Sequence, residues 1–178
     1  MPDGLALDTA LVVFQAGALA RGLLSAMRLD AGDTVLITAA AGRVGSLLVQ
    51  WAKAAGATVI GAASGAKLDA VTGFGADHAV DYDAAGWAEE VRELTFGRGA
   101  TLDIQAIARR GLTLCGPLGM VIRKSDAEQQ DDAEQALAAA GRGELRPRIH
   151  GRFPLDQAVG AHRELEERRS VGAVVLTI

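Results

Sequence analysis

With one cysteine, Cys115, in 178 residues, no internal disulfide forms and no second thiol completes a thiolate zinc site. The three histidines, His78, His150 and His162, lie far apart without paired ligand spacing, so no metal site is expected. No run of lysine or arginine stands out and the net charge is −4, which makes nucleic acid and anionic membranes poor partners. The first residues, MPDGLALD, lack a basic stretch leading into an apolar core, and no apolar stretch is expected to be long enough to span a bilayer. The expectation is a cytoplasmic, soluble protein. No G-x-S-x-G elbow or Cys/His pairing suggests nucleophilic catalysis.

What is present is an ordinary globular composition, 49% hydrophobic and 22% charged, in a chain able to bury one sound core. The organising stretch is 32–64, GDTVLITAAAGRVGSLLVQWAKAAGATVIGAAS. Thr34 to Thr38 is an apolar, β-branched run that predicts a strand buried on both faces. A small-residue turn follows, then a helical pattern from Ser46 to Ala55 stopped by Gly56, then a second strand from Thr58 to Gly61. A βαβ unit with glycines at its first strand-to-helix turn is the usual cradle for a dinucleotide diphosphate. Close backbone approach needs residues without bulk, and the helix start supplies unpaired N–H groups.

The rest extends this pattern. Asp8 is a candidate N-cap for a helix from about Thr9 to Met27, with a break near Gly17. Helices are expected over 66–74 and 84–95, the latter with Trp87, Val91 and Leu94 on one side, flanking a strand at His78 to Val80. Further on, Thr101 to Ile104 and Leu112 to Cys115 are strand candidates and Ser125 or Asp126 caps a helix to Ala140. Asp156 caps another to about Glu167, and 172–178 is a last strand. The acidic group Asp126, Glu128, Asp131, Asp132 and Glu134 suits a solvated helix start. Arg163, Arg168 and Arg169 among Glu164, Glu166 and Glu167 suggest an exposed ion-pair face. The fold class expected is α/β, a Rossmann-like doubly wound parallel sheet in a single domain. Residues 1–30 form its leading helical segment, 33–104 its first half and 108–178 an incomplete second half. One crossover near 104–108 is too short to hold its helix, so the sheet is expected to lack one strand–helix unit.

The fingerprint is A-x-G-x-x-G on Ala40, Gly42 and Gly45, with Arg43 and Val44 between the glycines. The alternative is a turn that merely packs helix on strand. At the end of the second strand, where an NAD site would place a carboxylate, stand Ala62, Ala63 and Ser64, with Lys67 close behind. A hydroxyl and a cation suit a 2′-phosphate, which favours NADP(H). The alternative there is that Ser64 caps the next helix and Lys67 is a solvated surface lysine.

PDGLALDTA, the 32–64 stretch, GADHAVDY, VRELTFGRGA and the tail HGRFPLDQAVGAHRELEERRSVGAVVLTI together carry a resemblance. They resemble, in order, the cofactor domain of the zinc-independent quinone oxidoreductases (zeta-crystallin-like) of the medium-chain dehydrogenase/reductase superfamily. The resemblance implies NADPH binding and hydride transfer to quinones, enones or enoyl thioesters. It implies Ala40, Gly42, Val44 and Gly45 at the diphosphate, and Ser64, Lys67 and Tyr82 around the adenosine 2′-phosphate and ribose. It also implies a homodimer through an edge strand at 112–116.

Three departures from that family are visible. The N-terminal GroES-like catalytic domain is not among these residues, which leaves a separate catalytic-domain partner as one expectation. The segment that should follow GRGATLD is shortened. Arg43 stands where the family has glycine, and Ala173 where it has lysine. No catalytic residue is assigned. Three functions stay open: an NADPH-dependent reductase, a non-catalytic nucleotide-binding or dimerisation module, and a cleft turned to a non-redox reaction.

Overall fold

The computed structural model describes residues 2–27, 29–95, 97 and 124–178. Three parallel strands, β1 (Thr34–Thr38), β2 (Thr58–Ala63) and β3 (His78–Asp81), lie in the order β1-β2-β3. The β1–β2 register pairs Thr34 with Thr58 and Thr38 with Ala62, and that of β2–β3 pairs Ala63 with Asp81. Each crossover carries a helix, α3 (Gly45–Ala54) and then α4 (Leu68–Gly73), as parallel neighbours require. The central strand is β2, buried from Val59 to Ala63. In β1 only Ile37 is fully buried, so the expectation of a strand buried on both faces belongs to β2. The reason is position: among the described residues β1 has β2 alone as a neighbour.

Alternation along β2 sorts the layers. Val59 and Ala63 pack with Val49 and Ala52 of α3 and Val71 of α4 on one face. Ile60 packs with Val80, Val91, Trp87 and Leu94 on the other, where α5 (Trp87–Leu94) lies. The side of α5 anticipated in the sequence is thus its core side. The helix starts three residues later than expected, because Gly86 adopts a left-handed φ of 86° just before it.

The leading segment is helical from Leu7 to Met27: α1 (Leu7–Val12), a π turn at Val13–Gly17 and α2 (Ala18–Met27). Its irregularity near Gly17 was legible. Asp8 is not the N-cap; Ala6 is, and Asp8 accepts the Thr9 N–H at 2.6 Å and pairs with distant Arg152. Contrary to expectation, these 21 residues are long and apolar enough to cross a membrane. The fully buried Val13, Ala16 and Ala20 instead meet Leu47 of α3 and Ala136 and Ala139 of α6 (Asp126–Gly141), as in an interior helix.

Ser125 caps α6 through a reciprocal box with Glu128. Asp132, expected in solvent, is buried and paired with Lys124. In the tail, β4 (Ile149–Pro154), a 3₁₀ turn over Leu155–Gln157, α7 (Ala158–Glu166) and β5 (Ala173–Thr177) form a βαβ unit of their own. Asp156 lies in the 3₁₀ turn, where no side chain makes a capping bond. Among the described residues β4 and β5 pair with each other. Among the same residues a bridge pairs Gly42, just after β1, with Gly172, just before β5. The strand candidates at 101–104 and 112–115 lie outside the described residues.

Candidate functional site

The carboxyl ends of β1, β2 and β3 lie side by side because the strands are parallel, and all eight candidate residues fall along this edge. After β1 the chain turns sharply, with Ala39 at φ 52°. The buried Ala40 donates its N–H to the Ala62 carbonyl of β2 at 3.0 Å, and Gly42 donates to Ala39 at 2.8 Å. A Cβ on Gly45 would lie 2.2 Å from the Ala39 carbonyl oxygen and 2.9 Å from the Ala40 Cα. Only glycine lets α3 start this close to the end of β1. The N–H of Ser46 returns to Gly42 at 3.0 Å. The Arg43 N–H faces the Gly172 carbonyl in the Gly42–Gly172 bridge, whereas the N–H groups of Val44 and Gly45 donate to nothing among the described residues. Two successive unpaired donors at a helix start form an anion cradle.

Arg43 is exposed, and its Nη1 donates to the Gln15 Oε1 of the π turn at 2.7 Å. Ser64 ends β2, and its hydroxyl makes no capping bond to the 3₁₀ turn Gly65–Lys67. The helix-cap alternative for Ser64 therefore has no geometric support. Lys67 is not simply solvated: its Nζ donates to the Ser170 carbonyl at 2.8 Å, across 103 residues of chain. Tyr82 is half-buried just beyond β3, its N–H on the Ala63 carbonyl at 3.1 Å.

One residue at this edge escaped the sequence reading. The carboxylate looked for after β2 is absent there, but Asp81 at the end of β3 supplies one. A Cβ on Gly65 would sit 2.5 Å from its Oδ2, and its Oδ1 accepts the Asp83 N–H at 3.0 Å. The signal was the β2–β3 register, which sets Asp81 opposite Ala63. The corner at Ser64 thus holds a cation and an anion.

Gly172, at φ 84°, donates to the Ala41 carbonyl at 2.8 Å, so the tail touches the glycine turn as well as Lys67.

Two family models, both described as zinc-binding dehydrogenase, match this chain over residues 44–122 and 100–176. The chain belongs to the zinc-binding dehydrogenases. Within them it is a quinone oxidoreductase-like cofactor domain of the medium-chain superfamily. It is 31% identical to a quinone oxidoreductase of Pseudomonas aeruginosa, matching over 99% of this chain and 66% of that protein. That alignment runs over 215 residues, longer than the chain itself, so it passes over positions of the relative that have no counterpart here. It is 30% identical to a 2-haloacrylate reductase of Burkholderia, over 82% of the chain and 55% of that protein. Among solved structures, a mycobacterial protein complexed with NADPH matches with a TM-score of 0.82 and 29% identity, covering all of this chain and 67% of that one. The chain therefore spans 66% and 55% of the lengths of these two curated relatives. The family name implies zinc, but no group of three or more His, Cys, Asp or Glu gathers among the described residues of this dehydrogenase domain.

Proposed function

We propose that this domain binds NADP(H) across the carboxyl ends of β1–β3 and serves hydride transfer to a small-molecule acceptor such as a quinone, an enone or an enoyl thioester. The carrying observation is the glycine turn, where the N–H groups of Val44 and Gly45 are unpaired among the described residues and Gly45 leaves no bulk in the way. The relatives' names, and the NADPH in the mycobacterial structure, support the same reading. In this reading Ala40, Gly42, Arg43, Val44 and Gly45 border the diphosphate, and Ser64, Lys67 and Tyr82 the adenosine end.

The cofactor, when bound, supplies the hydride, and the domain's part is to hold and orient it. The proposal includes a zinc-independent reaction, a gap in the chain near 104–108 relative to its relatives, and a cytoplasmic setting. It also includes assembly as a homodimer through 112–116 and a separate catalytic-domain partner, both testable by light scattering and co-purification.

Fluorescence titration with NADPH and NADH tests the core of the proposal. Saturable binding with preference for NADPH is expected, and no binding of either at near-millimolar concentration overturns it. Loss of reduced-nicotinamide absorbance with a panel of quinones then tests turnover. A second reading is a nucleotide-holding module without turnover. Binding without turnover would select it.

A further inference from the structure

Among the described residues two arginines are held by a glutamine amide oxygen, Arg43 by Gln15 at 2.7 Å and Arg21 by Gln135 at 2.8 Å, and the Arg21 guanidinium also lies 5.4 Å from the centre of the Trp51 ring. Arg152 pairs with Asp8, Arg142 with Glu144 and Arg169 with Glu164, so each of those charges faces a carboxylate. Arg43 is bonded instead by an amide oxygen, and no carboxylate pairs with it among the described residues. The difference matters electrostatically. A carboxylate would orient the guanidinium and cancel its charge, whereas a neutral amide orients it and leaves the charge whole. Four of the five guanidinium N–H donors remain for other partners.

Gln15 reaches Arg43 from the π turn Val13–Gly17, whose extra residue re-aims the side chains of the leading helix. The turn is locked from behind, since a Cβ on Gly17 would sit 3.0 Å from Ala136 Cβ of α6 and 3.1 Å from Val13 Cγ1. On its other side Arg43 belongs to the same turn as the unpaired N–H groups of Val44 and Gly45. A held full charge and two free backbone N–H groups therefore stand together at one turn.

We infer that Gln15 is a positioning residue that holds the Arg43 guanidinium, uncompensated, over the dinucleotide's diphosphate. This rests on the NADP(H) reading and assigns a group within it. The diphosphate is common to NADPH and NADH, and Arg43 stands at β1–α3, whereas Lys67 and Asp81 stand at the ends of β2 and β3. Arg43 therefore contributes to both cofactors alike and not to the choice between them.

The test uses the full chain, with binding of NADPH and NADH followed by titration and folding by thermal melting. Arg43→Ala is expected to weaken both cofactors about tenfold, the loss of a charge-assisted bond. Gln15→Glu is the discriminating variant. It keeps or strengthens the contact with Arg43, so the melting temperature holds or rises, yet it neutralises the charge and is expected to weaken both cofactors as Arg43→Ala does. A structural role for Gln15 would not move affinity that way. In the Arg43→Ala background Gln15→Ala is expected to add nothing.

Unchanged affinity in Arg43→Ala or Gln15→Glu, with the parent chain binding normally, overturns the inference and leaves the NADP(H) reading standing. A loss confined to NADPH moves Arg43 to the 2′-phosphate and overturns the diphosphate assignment. A parent chain that binds neither cofactor overturns both.

Discussion

Gly45→Ala tests the cradle at its tightest point. The added Cβ would lie 2.2 Å from the Ala39 carbonyl oxygen, and its next neighbours, the Ala39 carbonyl carbon and Ala40 Cα, are also backbone, both at 2.9 Å. No side chain stands ready to rotate away, so α3 or the turn itself must retreat by about 1 Å to restore ordinary contact. That retreat pulls α3 from its seat, where Leu47, Val49 and Ala52 are fully buried. Overpacking of this kind costs about 1–3 kcal/mol. For a chain of this size each kcal/mol lowers the melting temperature by about 2–4 °C, so a fall of roughly 2–12 °C is expected. The shift also misaligns the unpaired N–H groups, and losing one charge-assisted bond is worth roughly ten- to a hundredfold in NADPH affinity.

Gly160→Ala in α7 is the control. Nothing lies within 4 Å of its added Cβ, and the position is exposed. Removing a helix-interior glycine is expected to stabilise by about 0.5–1 kcal/mol. Calorimetry and fluorescence titration read both variants. A Gly45→Ala protein as stable as its parent, with NADPH affinity intact, would refute the reasoning.

Gly61→Ala should also destabilise, by about 1–3 kcal/mol, since its Cβ would meet Val71 Cγ1 at 2.3 Å. Here the obstacle is a side chain, so Gly61→Ala with Val71→Ala should cost less than the two separate losses added, and strict additivity in denaturant melts would count against the contact. Asp77 is held below the usual carboxylate range, first by the Lys53 ammonium bonded to it and then by the Val59 N–H. Its contribution is present above about pH 4 and is lost as pH falls through the depressed folded-state value. With both side chains about a third exposed it is worth under about 1 kcal/mol, and Asp77→Asn should remove that part of the acid dependence in melts across pH 2–7. Lys67→Glu should weaken NADPH about tenfold more than NADH, and Asp81→Asn should shift preference toward NADPH; equal effects on both cofactors in titration would remove the pair from the 2′-phosphate corner.

The elements that were legible are those whose cause is local. The β-branched run at Thr34–Thr38, the glycine turn, the spacing of Trp87, Val91 and Leu94 and the Ser125 cap all act within a few residues of themselves. What escaped depends on distant chain. Asp8 forgoes capping for Arg152, which lies 144 residues on. Asp132 leaves solvent because Lys124 closes over it. Asp81 reaches the cofactor edge only through the strand register, and Lys67 finds Ser170 only because the tail folds back. The pairing of β4 with β5 was hidden for the same reason: a strand pattern says that a strand forms, not which strand it will join.

That tail carries a consequence of its own. Gly172 bonds the Ala41 carbonyl and Ser170 bonds Lys67, so the last thirty or so residues hold the cradle at two points. Two lobes joined in this way share one free-energy account. Whatever steadies the turn must slow the exchange of the Gly172 amide, and whatever peels the tail away must loosen the grip on a nucleotide by the same factor. Loosening of the tail at Ser170 and Gly172 would therefore be felt at the glycine turn without any contact with the nucleotide itself.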